Sequence, residues 1–378
     1  MKILMVASFA ESLINFRGAL IAEFQRHGYQ VHVTAPDLFE GCAVRQAIEA
    51  RGVIVHNLSM RRAGLNPFKD LNTLLQLILL IKQVHPEIVL TYTIKPVIYG
   101  TFAAWVTGVK KRIVLITGLG YAFTDSSGFM RMAIRSLTRI MYSVALLCAH
   151  KIFFQNPDDR DLFIRLGIVK DSSAIIVVNG SGVDISYFSD VPVESKKITF
   201  LLISRLIGDK GIREYVLAAK RLKECYRDIH FELAGWIDEN PDAIGQDELD
   251  GWINDGIITF LGKLEDVRPA ILRSTVYVLP SYREGMPRTV LEAMSMGRPI
   301  ITTDAPGCRE TVVDGQNGFL VPVKDAVLLA LAMEKFIQIP GLANKMGAQS
   351  RLIAVRKYDV KLINEVMLSE MGIYEKNY

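Results

Sequence analysis

Residues 276–302 read VYVLPSYREGMPRTVLEAMSMGRPIIT, and their pattern is the clearest indication of the fold in this sequence. A short apolar run, Val276–Leu279, is followed by a polar loop, a helical pattern over 288–296 and a second apolar run. Pro287 suits the first turn of a helix, and Gly297 suits its C-terminal cap. The order strand, loop, helix, strand predicts a parallel βαβ unit.

The same alternation of short β-branched runs and longer helical patterns occurs twice along the 378 residues. In the first half the predicted strands are Ile3–Ala7, Val31–Ala35, Ile54–His56, Ile88–Thr91, Ile113–Ile116, Ile152–Phe154 and Ile175–Val178. In the second half they are Thr199–Ile203, Phe231–Ala234, Ile258–Leu261, Val276–Leu279 and Pro299–Thr302. The helical patterns between them are Gly18–Arg26, Leu71–Val84, Phe129–Leu147, Arg213–Glu224, Val267–Arg273 and Arg288–Met296. The sequence therefore predicts an α/β protein with two doubly wound, parallel-sheet domains.

The length of the chain favours two domains over one. The polar stretch 181–197 contains Pro192 among mixed charges and is the predicted linker. We therefore place the first domain at residues 1–185 and the second at 186–357. A last helical segment, within 358–378, is predicted to pack back onto the first domain.

The composition indicates a globular protein in a reducing, cytoplasmic setting. Half of the residues are hydrophobic and 22% are charged, which is ample apolar material for buried cores. The four cysteines, Cys42, Cys148, Cys225 and Cys308, form no CxxC pair, so neither disulfides nor a zinc site is predicted. The start, MKILMVASFA, reads as a buried strand because Glu11 ends its apolar run. No apolar run reaches the roughly 18 residues that span a bilayer, so only peripheral membrane contact is predicted.

The net charge of +4 is unevenly distributed. Residues 1–190 hold 20 Lys+Arg against 14 Asp+Glu, a net of +6, and the remainder has a net of −2. A basic first half can attract phosphates or anionic lipid, although a solvated surface is the simpler alternative. Nucleic acid is not a predicted partner, because no recognition motif or aromatic platform accompanies the charge.

The loop after the predicted strand Thr199–Ile203 reads SRLIGDKG and precedes a helix. It carries Arg205 and Lys210, two cations five residues apart, with glycines that permit close backbone approach. Such a loop at a helix N-terminus suits a diphosphate. Basic residues are also common on surfaces, so the pattern alone leaves an ordinary exposed loop open as the alternative.

The loop after Val276–Leu279 is the second candidate for an anion site. It leads into a helix, and four backbone N–H groups at that helix start can face an anion. They belong to Gly285, Met286, Arg288 and Thr289. Glu292 lies about one turn inside the helix, where its carboxylate suits the hydroxyls of a sugar, and Glu284 precedes it on the loop. Spacing alone also permits both glutamates to be solvated surface groups.

Arg205, Lys210 and the pair Glu284 and Glu292, with seven residues between the glutamates, resemble the donor site of the retaining glycosyltransferases of family 4. The resemblance covers essentially the whole chain and is densest over 175–325. Further matching stretches are Gly182-Val183-Asp184 with Phe188, Gly262–Leu264, Asp266, Leu279–Pro287, Val290–Pro299, Gly307 and Asp314–Gly318. It implies the GT-B architecture, in which two Rossmann-like doubly wound parallel-sheet domains face each other across a cleft.

The resemblance also implies roles for the site residues. In such enzymes the cations matching Arg205 and Lys210 bind the donor diphosphate, the glutamate matching Glu284 contacts the donor sugar, and that matching Glu292 contacts the ribose. Glu284, Arg205 and Lys210 are therefore the predicted catalytic residues. The predicted donor-binding set adds Gly285, Met286, Pro287, Arg288, Thr289 and Glu292. The implied co-substrate is a UDP-sugar, and neither a metal nor another cofactor is expected.

Three motifs of the first half resemble a narrower group of bacterial enzymes, which extend saccharides linked to undecaprenyl diphosphate and include transferases of N-acetylgalactosamine. The motifs are Leu13-Ile14-Asn15-Phe16-Arg17, Arg62-Ala63-Gly64-Leu65-Asn66-Pro67 and Thr117-Gly118-Leu119-Gly120. They imply that Arg17, Arg62, Gly118 and Gly120 bind a lipid-linked acceptor at the inner face of the cytoplasmic membrane. Many family members carry a histidine near the position of Gly118; this chain does not, and no catalytic histidine is predicted.

Other patterns are weighed against simpler interpretations. Gly118-Leu119-Gly120 begins like a dinucleotide fingerprint, but Phe123 replaces its third glycine. Asp159-Arg160-Asp161 imitates a metal-binding DxD, yet it lies at a predicted helix start, where acids are favoured by the dipole. Arg131, Arg135 and Arg139 share one face of a helix that can lie on an anionic membrane or serve as an ordinary surface helix. The six histidines show no ligand spacing.

Three further functions remain as alternatives to a transferase. A glycoside hydrolase would use Glu284 and Glu292 as an acid and nucleophile pair, but it leaves Arg205 and Lys210 unexplained. A nucleotide-sugar epimerase would use the same two-domain fold without an acceptor. A noncatalytic lipid-surface protein would use only the basic first half.

Overall fold

The computed structural model describes residues 1–60, 66–118, 129–170, 172, 174–193, 197–238, 240 and 242–374, with only the backbone described over 129–135. The chain divides into two compact units, unit 1 formed by residues 1–181 with 362–378 and unit 2 by residues 182–361. The first division falls at the start of the predicted linker.

Unit 1 is built on a parallel sheet of seven strands in the order β3-β2-β1-β4-β5-β6-β7. Its strands are β1 (Lys2–Val6), β2 (Gln30–Ala35), β3 (Ile54–Asn57), β4 (Ile88–Tyr92), β5 (Lys111–Ile116), β6 (Lys151–Phe154) and β7 (Ile175–Val177). Its helices are α1 (Glu11–Asn15), α2 (Gly18–Arg26), α3 (Ala43–Glu49), α4 (Pro67–Val84), α5 (Thr101–Val106), α6 (Phe129–Leu147) and α7 (Pro157–Arg165). The order reverses beside β1, which is the switch point of a doubly wound sheet.

Unit 2 repeats this plan with six parallel strands in the order β10-β9-β8-β11-β12-β13. They are β8 (Ile198–Ile203), β9 (Ile229–Ala234), β10 (Thr259–Phe260), β11 (Val276–Leu279), β12 (Ile300–Thr303) and β13 (Gly318–Val321). The helices are α8 (Ile212–Cys225), α9 (Gln246–Asn254), α10 (Arg268–Arg273), α11 (Arg288–Ser295), α12 (Ala326–Gln338) and α13 (Leu342–Ile353). The reversal lies between β8 and β11, so the loops after these two strands meet at one edge.

The last helix, α14 (Val360–Glu370), follows unit 2 in the chain and contributes to the core of unit 1. Ile363 and Met367 are buried in the same apolar cluster as Ile3 of β1. The carboxylate of Glu370 lies 2.8 Å from the ammonium of Lys151 on β6. The C-terminal helix thus stabilises unit 1, although it follows unit 2 in the sequence.

The predicted α/β class with two doubly wound parallel sheets is confirmed, and all twelve predicted strands are present with shifts of one or two residues. One strand, β13, was not predicted. It begins at Gly318, where a Cβ would lie 1.7 Å from the carbonyl oxygen of Ile300. A glycine and only four residues weaken the strand pattern, although this close approach to β12 requires the glycine.

The strand β1 shows why apolar residues fill the centre of each unit. Ile3, Leu4, Met5 and Val6 are fully buried. Alternate residues face opposite sides of the sheet, so Ile3 and Met5 join one apolar cluster and Leu4 and Val6 another. A continuous apolar run is therefore the expected pattern for a strand that helices cover on both faces.

Two histidines that show no ligand spacing in the sequence lie in contact on neighbouring strands. Nδ1 of His32 lies 3.0 Å from Nε2 of His56, and the rings stack at 5.3 Å. Burial lowers the pKa of His32 to about 4, and the nearby His56 and Lys2 add to the effect. Burial, followed by the charge of Arg45, lowers the pKa of His56.

This pair predicts acid destabilisation of unit 1. Because the folded pKa of His32 is depressed, the unfolded chain binds protons first as the pH falls below about 6.5, and stability decreases until about pH 4. His32→Gln is expected to reduce the loss between pH 7 and pH 5 by about 1 to 2 kcal/mol. Denaturant midpoints at pH 7 and pH 5 measure it, and the exposed His230→Gln is the control. Equal pH dependence in wild type and His32→Gln would contradict the assignment.

Within the part of the chain described, no single helix is long and apolar enough to cross a membrane. The bent pair formed by 326–338 and 342–358 passes on length and composition alone. Leu329, Met333 and Met346 of this pair are buried in the core of unit 2.

Candidate active site

The loop that follows β8 holds Arg205 and Lys210 at the carboxyl edge of the sheet in unit 2. It closes with a 3-10 turn, Gly208–Lys210, and Gly211 then caps α8. Gly211 has a φ of +69°, and a Cβ there would lie 2.1 Å from the carbonyl oxygen of Pro280. Glycine therefore allows the loop after β8 to lie against the loop after β11.

Glu284 lies on the loop between β11 and α11, and the loop after β12 holds its backbone in place. Its N–H donates to the carbonyl of Pro306 at 3.0 Å. A Cβ at Gly307, where φ is +77°, would lie 2.2 Å from the carbonyl oxygen of Glu284. The position of Glu284 thus depends on a glycine in the loop after β12.

This dependence gives a testable prediction for Gly307→Ala. The added methyl must displace the backbone of Glu284, so we expect kcat/KM for sugar transfer to fall by about tenfold or more, since small misplacements at a reacting centre are costly. Gly256→Ala is the matched control, because Gly256 also has a positive φ, +65°, but nothing lies within 4 Å of its added Cβ. Similar activity in the two variants would show that the contact with Glu284 is unimportant.

The ammonium of Lys210 and the carboxylate of Glu284 form an ion pair that joins the two loops. Their side chains are only 16% and 14% exposed. Partial burial reduces solvent screening, so the attraction exceeds that of a surface pair at the same distance. The structure thus brings together the residue predicted to bind diphosphate and the residue predicted to contact the sugar, and neither is an ordinary solvated group.

Arg205 has a partner that sequence reasoning missed. Its Nη1 donates to Oδ2 of Asp238 at 2.8 Å, and the side chains are 35% and 19% exposed. Asp238 follows β9 at the same edge of the sheet. Its position after a predicted strand was the available signal, although the pattern Gly235-Trp236-Ile237-Asp238 gives no indication of which cation it meets.

Glu292 is buried in the first turns of α11, with 6% of its surface exposed. Its carboxylate accepts a hydrogen bond from Nε of Arg288 at 2.8 Å. Burial raises the pKa of Glu292, and the neighbouring Arg288 opposes that change. A buried carboxylate with its own cation is a defined hydrogen-bond acceptor, in contrast to the solvated surface group that spacing alone permits.

Tyr282 also joins the two loops and was not predicted. Its N–H donates to the carbonyl of Asp209 at 2.9 Å, and its hydroxyl donates to the carboxylate of Glu214 at 2.7 Å. Desolvation, the bond to Glu214 and nearby acids raise the pKa of Tyr282. The ring lies under the ammonium of Lys324, 5.0 Å from its centroid. Tyr282 therefore connects the loop after β11 to Asp209, beside Lys210, and to Glu214 on α8.

The predicted phosphate-facing segment, Gly285 to Thr289, forms the entry to α11. Pro287 adopts φ −75° and ψ 102° and precedes the helix, rather than lying in its first turn as predicted. Arg288 and Thr289 are the first helical residues. The N-terminal end of a helix carries the positive end of its dipole, which favours an anion at this entry.

The residues predicted to bind the acceptor are only partly described. Arg17 is 3% exposed, donates to Oγ of Ser181 at 3.2 Å, and lies 5.2 Å from the ring centroid of Tyr92. Gly118 follows β5 and has a φ of +132°. Arg62 and Gly120 lie outside the described residues. Arg17 therefore connects the segment between α1 and α2 to Ser181 and to Tyr92 at the end of β4.

The imitation of a metal motif has a structural explanation. Asp159 is fully buried and its N–H donates to the side chain of Asn156 at 2.7 Å, which caps α7. Asp161 pairs with the adjacent Arg160 at 2.7 Å. Among the described residues, no group of three or more His, Cys, Asp or Glu side chains is placed to hold a metal ion.

Family models cover both units. The model for group 1 glycosyl transferases matches residues 197–338, which include Arg205, Lys210, Glu284 and Glu292. The model for family 4-like glycosyl transferases matches residues 2–156. The chain is a glycosyltransferase, with a family 4-like first domain and a group 1 second domain.

Curated relatives of this chain are named as glycosyltransferases of bacteria. It is 27% identical over 86% of both chains to the N,N'-diacetylbacillosaminyl-diphospho-undecaprenol alpha-1,3-N-acetylgalactosaminyltransferase of Campylobacter jejuni. It is 25% identical to the capsular polysaccharide biosynthesis glycosyltransferase CapM of Staphylococcus aureus, over 99% of this chain and 98% of CapM. It is 26% identical over 68% of both chains to the UDP-Gal:alpha-D-GlcNAc-diphosphoundecaprenol alpha-1,3-galactosyltransferase of Escherichia coli.

Solved structures share the fold of this glycosyltransferase. HepE of Anabaena, determined in complex with UDP, aligns with a TM-score of 0.76 over 98% of this chain and 100% of HepE at 18% identity. A glycosyltransferase of Rickettsia africae aligns with a TM-score of 0.77 over 100% of this chain and 99% of its own, at 21% identity. At these identities the likeness concerns the GT-B fold alone.

Proposed function

We propose that this glycosyltransferase moves an N-acetylhexosamine or a hexose from a UDP-sugar to a saccharide linked to a polyprenyl diphosphate, with retention of configuration. The observation that carries the proposal is the largely buried ion pair of Lys210 and Glu284 beside α11. The names of the Campylobacter and Escherichia relatives, which specify acceptors on undecaprenyl diphosphate, support the acceptor class. The product would enter a bacterial surface polysaccharide or glycan.

The site predicted to bind the UDP-sugar has the hydrogen-bond donors and acceptors that such a ligand requires. An ammonium has three N–H donors and a guanidinium has five, so Lys210 and Arg205 can keep Glu284 and Asp238 as partners while they bind phosphate oxygens. The carboxylate of Glu284 then accepts hydrogen bonds from the sugar hydroxyls. The buried carboxylate of Glu292 is available to the hydroxyls of the ribose.

Transfer breaks the bond between the anomeric carbon and the β-phosphate oxygen and forms a bond from that carbon to the acceptor oxygen. In the proposed same-face reaction the departing phosphate takes the proton of the acceptor hydroxyl. Negative charge grows on the diphosphate as the bond breaks, and the fixed cations Lys210 and Arg205 stabilise it. The start of α11 adds its dipole at the same place.

The experiment combines purified enzyme, a panel of UDP-sugars and a defined lipid-linked acceptor. Formation of glycosylated lipid only when both substrates are present supports transfer, and NMR of the new linkage establishes whether configuration is retained. Isomerised UDP-sugar without acceptor would support an epimerase, and cleavage of simple glycosides would support a hydrolase. Either of these results without transfer would overturn the proposal.

We expect the reaction to need no metal ion. Lys210 and Arg205 already supply the positive charge that a bound divalent cation would otherwise bring to a diphosphate. Turnover after treatment with EDTA and desalting is expected to stay within about twofold of the untreated enzyme, a difference under about 0.5 kcal/mol in barrier. Loss of activity that magnesium or manganese restores would contradict this prediction.

The lipid-linked acceptor also places the enzyme at a membrane in this proposal, as a peripheral protein on the inner face of the cytoplasmic membrane. Nucleic acid is not a proposed partner. The excess of Lys and Arg over Asp and Glu in residues 1–190 supports attraction to anionic lipid.

A further inference from the structure

The outer side of α4 carries an apolar stripe that no other described segment covers. Phe68, Leu71, Leu75 and Leu79 are 87%, 55%, 51% and 66% exposed. Their spacing of three and four residues places them along one face of the helix. The opposite face is also apolar, since Leu77 and Ile81 are buried against the sheet of unit 1. A surface helix normally turns charged or polar residues outward, and α4 does the reverse along this stripe.

The neighbouring helices repeat this arrangement. On α5, Trp105 and Val106 are 50% and 53% exposed. On α6, Ile140, Val144 and Leu147 are 61%, 47% and 80% exposed, at helical spacing. Because α4 packs against α5 and α5 against α6, these side chains belong to one layer on one side of the sheet. We call the outer side of these three helices the apolar face.

The three helices that form the apolar face carry mainly positive charge. The three helices contain Lys69, Lys82, Arg131, Arg135 and Arg139, and one acid, Asp70. That acid is 5% exposed and its carboxylate is paired with the ammonium of Lys95 at 2.7 Å. Lys69 and Lys82 are exposed near the two ends of α4. Thus no exposed carboxylate from these helices, within the part of the chain described, opposes an anionic partner.

We infer that the apolar face is the surface with which unit 1 lies on an anionic lipid bilayer. Apolar side chains would enter the region between the headgroups and the acyl chains, while the exposed Lys69 and Lys82 contact lipid phosphates. The inference rests on the proposed lipid-linked acceptor for its biological purpose, although the surface itself is described independently. It extends the membrane contact from α6, where the sequence suggested it, to α4 and α5.

A second copy of the chain is a less suitable occupant of this face. In a symmetric dimer the same patch meets itself, so the basic groups of the two copies would be brought together. An anionic bilayer instead offers negatively charged headgroups to the basic residues and acyl chains, just beneath the headgroups, to the apolar side chains. The combination of exposed leucines with basic residues is therefore better matched by lipid.

The test uses cosedimentation of the full chain with vesicles of phosphatidylcholine alone or mixed with phosphatidylglycerol. Wild type is expected to bind the anionic vesicles, and the triple variant Leu71→Gln, Leu75→Gln, Leu79→Gln is expected to lose at least about fivefold in bound fraction. A matched control is Leu217→Gln with Leu328→Gln and Leu331→Gln, exposed leucines of unit 2. Raising sodium chloride to about 0.5 M is expected to weaken binding by screening the basic residues.

Two further measurements separate the outcomes. Equal vesicle binding by wild type and the α4 variant would overturn the inference, as would a wild-type dimer in light scattering that the variant abolishes without any vesicle binding. Transfer to a water-soluble, short-chain acceptor is expected to be unchanged in the α4 variant. Absence of transfer by wild type on that acceptor would count against the proposed function, whereas vesicle binding would still report on the apolar face.

Discussion

Glu284→Gln is expected to lower the rate of sugar transfer by about 10²- to 10³-fold while the protein remains folded. Glutamine keeps the shape of the side chain and one acceptor oxygen, so Lys210 retains a hydrogen-bond partner in the pair that it now forms with Glu284. What the substitution removes is the negative charge. The thermal midpoint is therefore expected to stay within about 3 °C of wild type, which corresponds to about 1 kcal/mol for units of this size.

The size of this expected effect follows from the position of Glu284. Its carboxylate is 14% exposed and its backbone is bonded to Pro306 and packed on Gly307. A carboxylate held in this way cannot move far to compensate for a changed partner. Hydrogen bonds from sugar hydroxyls to a charged acceptor are worth roughly 1.5 to 3 kcal/mol each, so weakening two of them accounts for the expected loss.

Glu334→Gln is the matched control for Glu284→Gln. Glu334 also accepts a hydrogen bond, from the hydroxyl of Tyr226 at 2.9 Å, but it lies on α12 rather than at the carboxyl edge of the sheet. Its kcat/KM is expected to equal that of wild type within about twofold. If Glu284→Gln transferred sugar as fast as Glu334→Gln, Glu284 would have no role in the reaction.

The strands were predictable from the sequence because parallel strands that are buried on both faces consist of continuous apolar runs. The pattern at 276–302 was the clearest case, and β11, α11 and β12 lie within a residue or two of their predicted places. Short helices such as α3 and α9 were missed, since their amphipathic patterns span few turns. Propensity over so few residues is a weak signal that packing overrides.

Contacts at the candidate site were less predictable than its location. The rule that loops after parallel strands form the ligand edge placed Arg205, Lys210 and Glu284 correctly at one edge. It could not pair Arg205 with Asp238, because that contact joins loops 33 residues apart and depends on side-chain direction. The burial of Glu292 could not be predicted from the sequence either. Only 6% of the residue is exposed, whereas most glutamates are solvated. The roles of these residues came from family resemblance rather than from spacing.

Lys210→Met is expected to weaken the binding of UDP by about 10- to 100-fold, since a charge-assisted hydrogen bond to phosphate contributes roughly 1.5 to 3 kcal/mol. Methionine keeps much of the apolar stem and removes the ammonium. Titration calorimetry with UDP measures the effect directly. Lys223→Met is the control, because Lys223 lies on α8, the helix that begins just after Lys210, and donates to the carbonyl of Gly256.

UDP carries the diphosphate but no sugar, so its binding distinguishes the role of Lys210 from the role of Glu284. Lys210→Met is expected to lose affinity for UDP, whereas Glu284→Gln is expected to bind UDP within about threefold of wild type and to lose affinity or rate only with UDP-sugars. Equal losses of UDP affinity in both variants would mean that Glu284 acts by holding Lys210 rather than by contacting the sugar. Since the two side chains already touch, the double variant should lose less transfer activity than the product of the single losses, because residues that act as a unit are not additive.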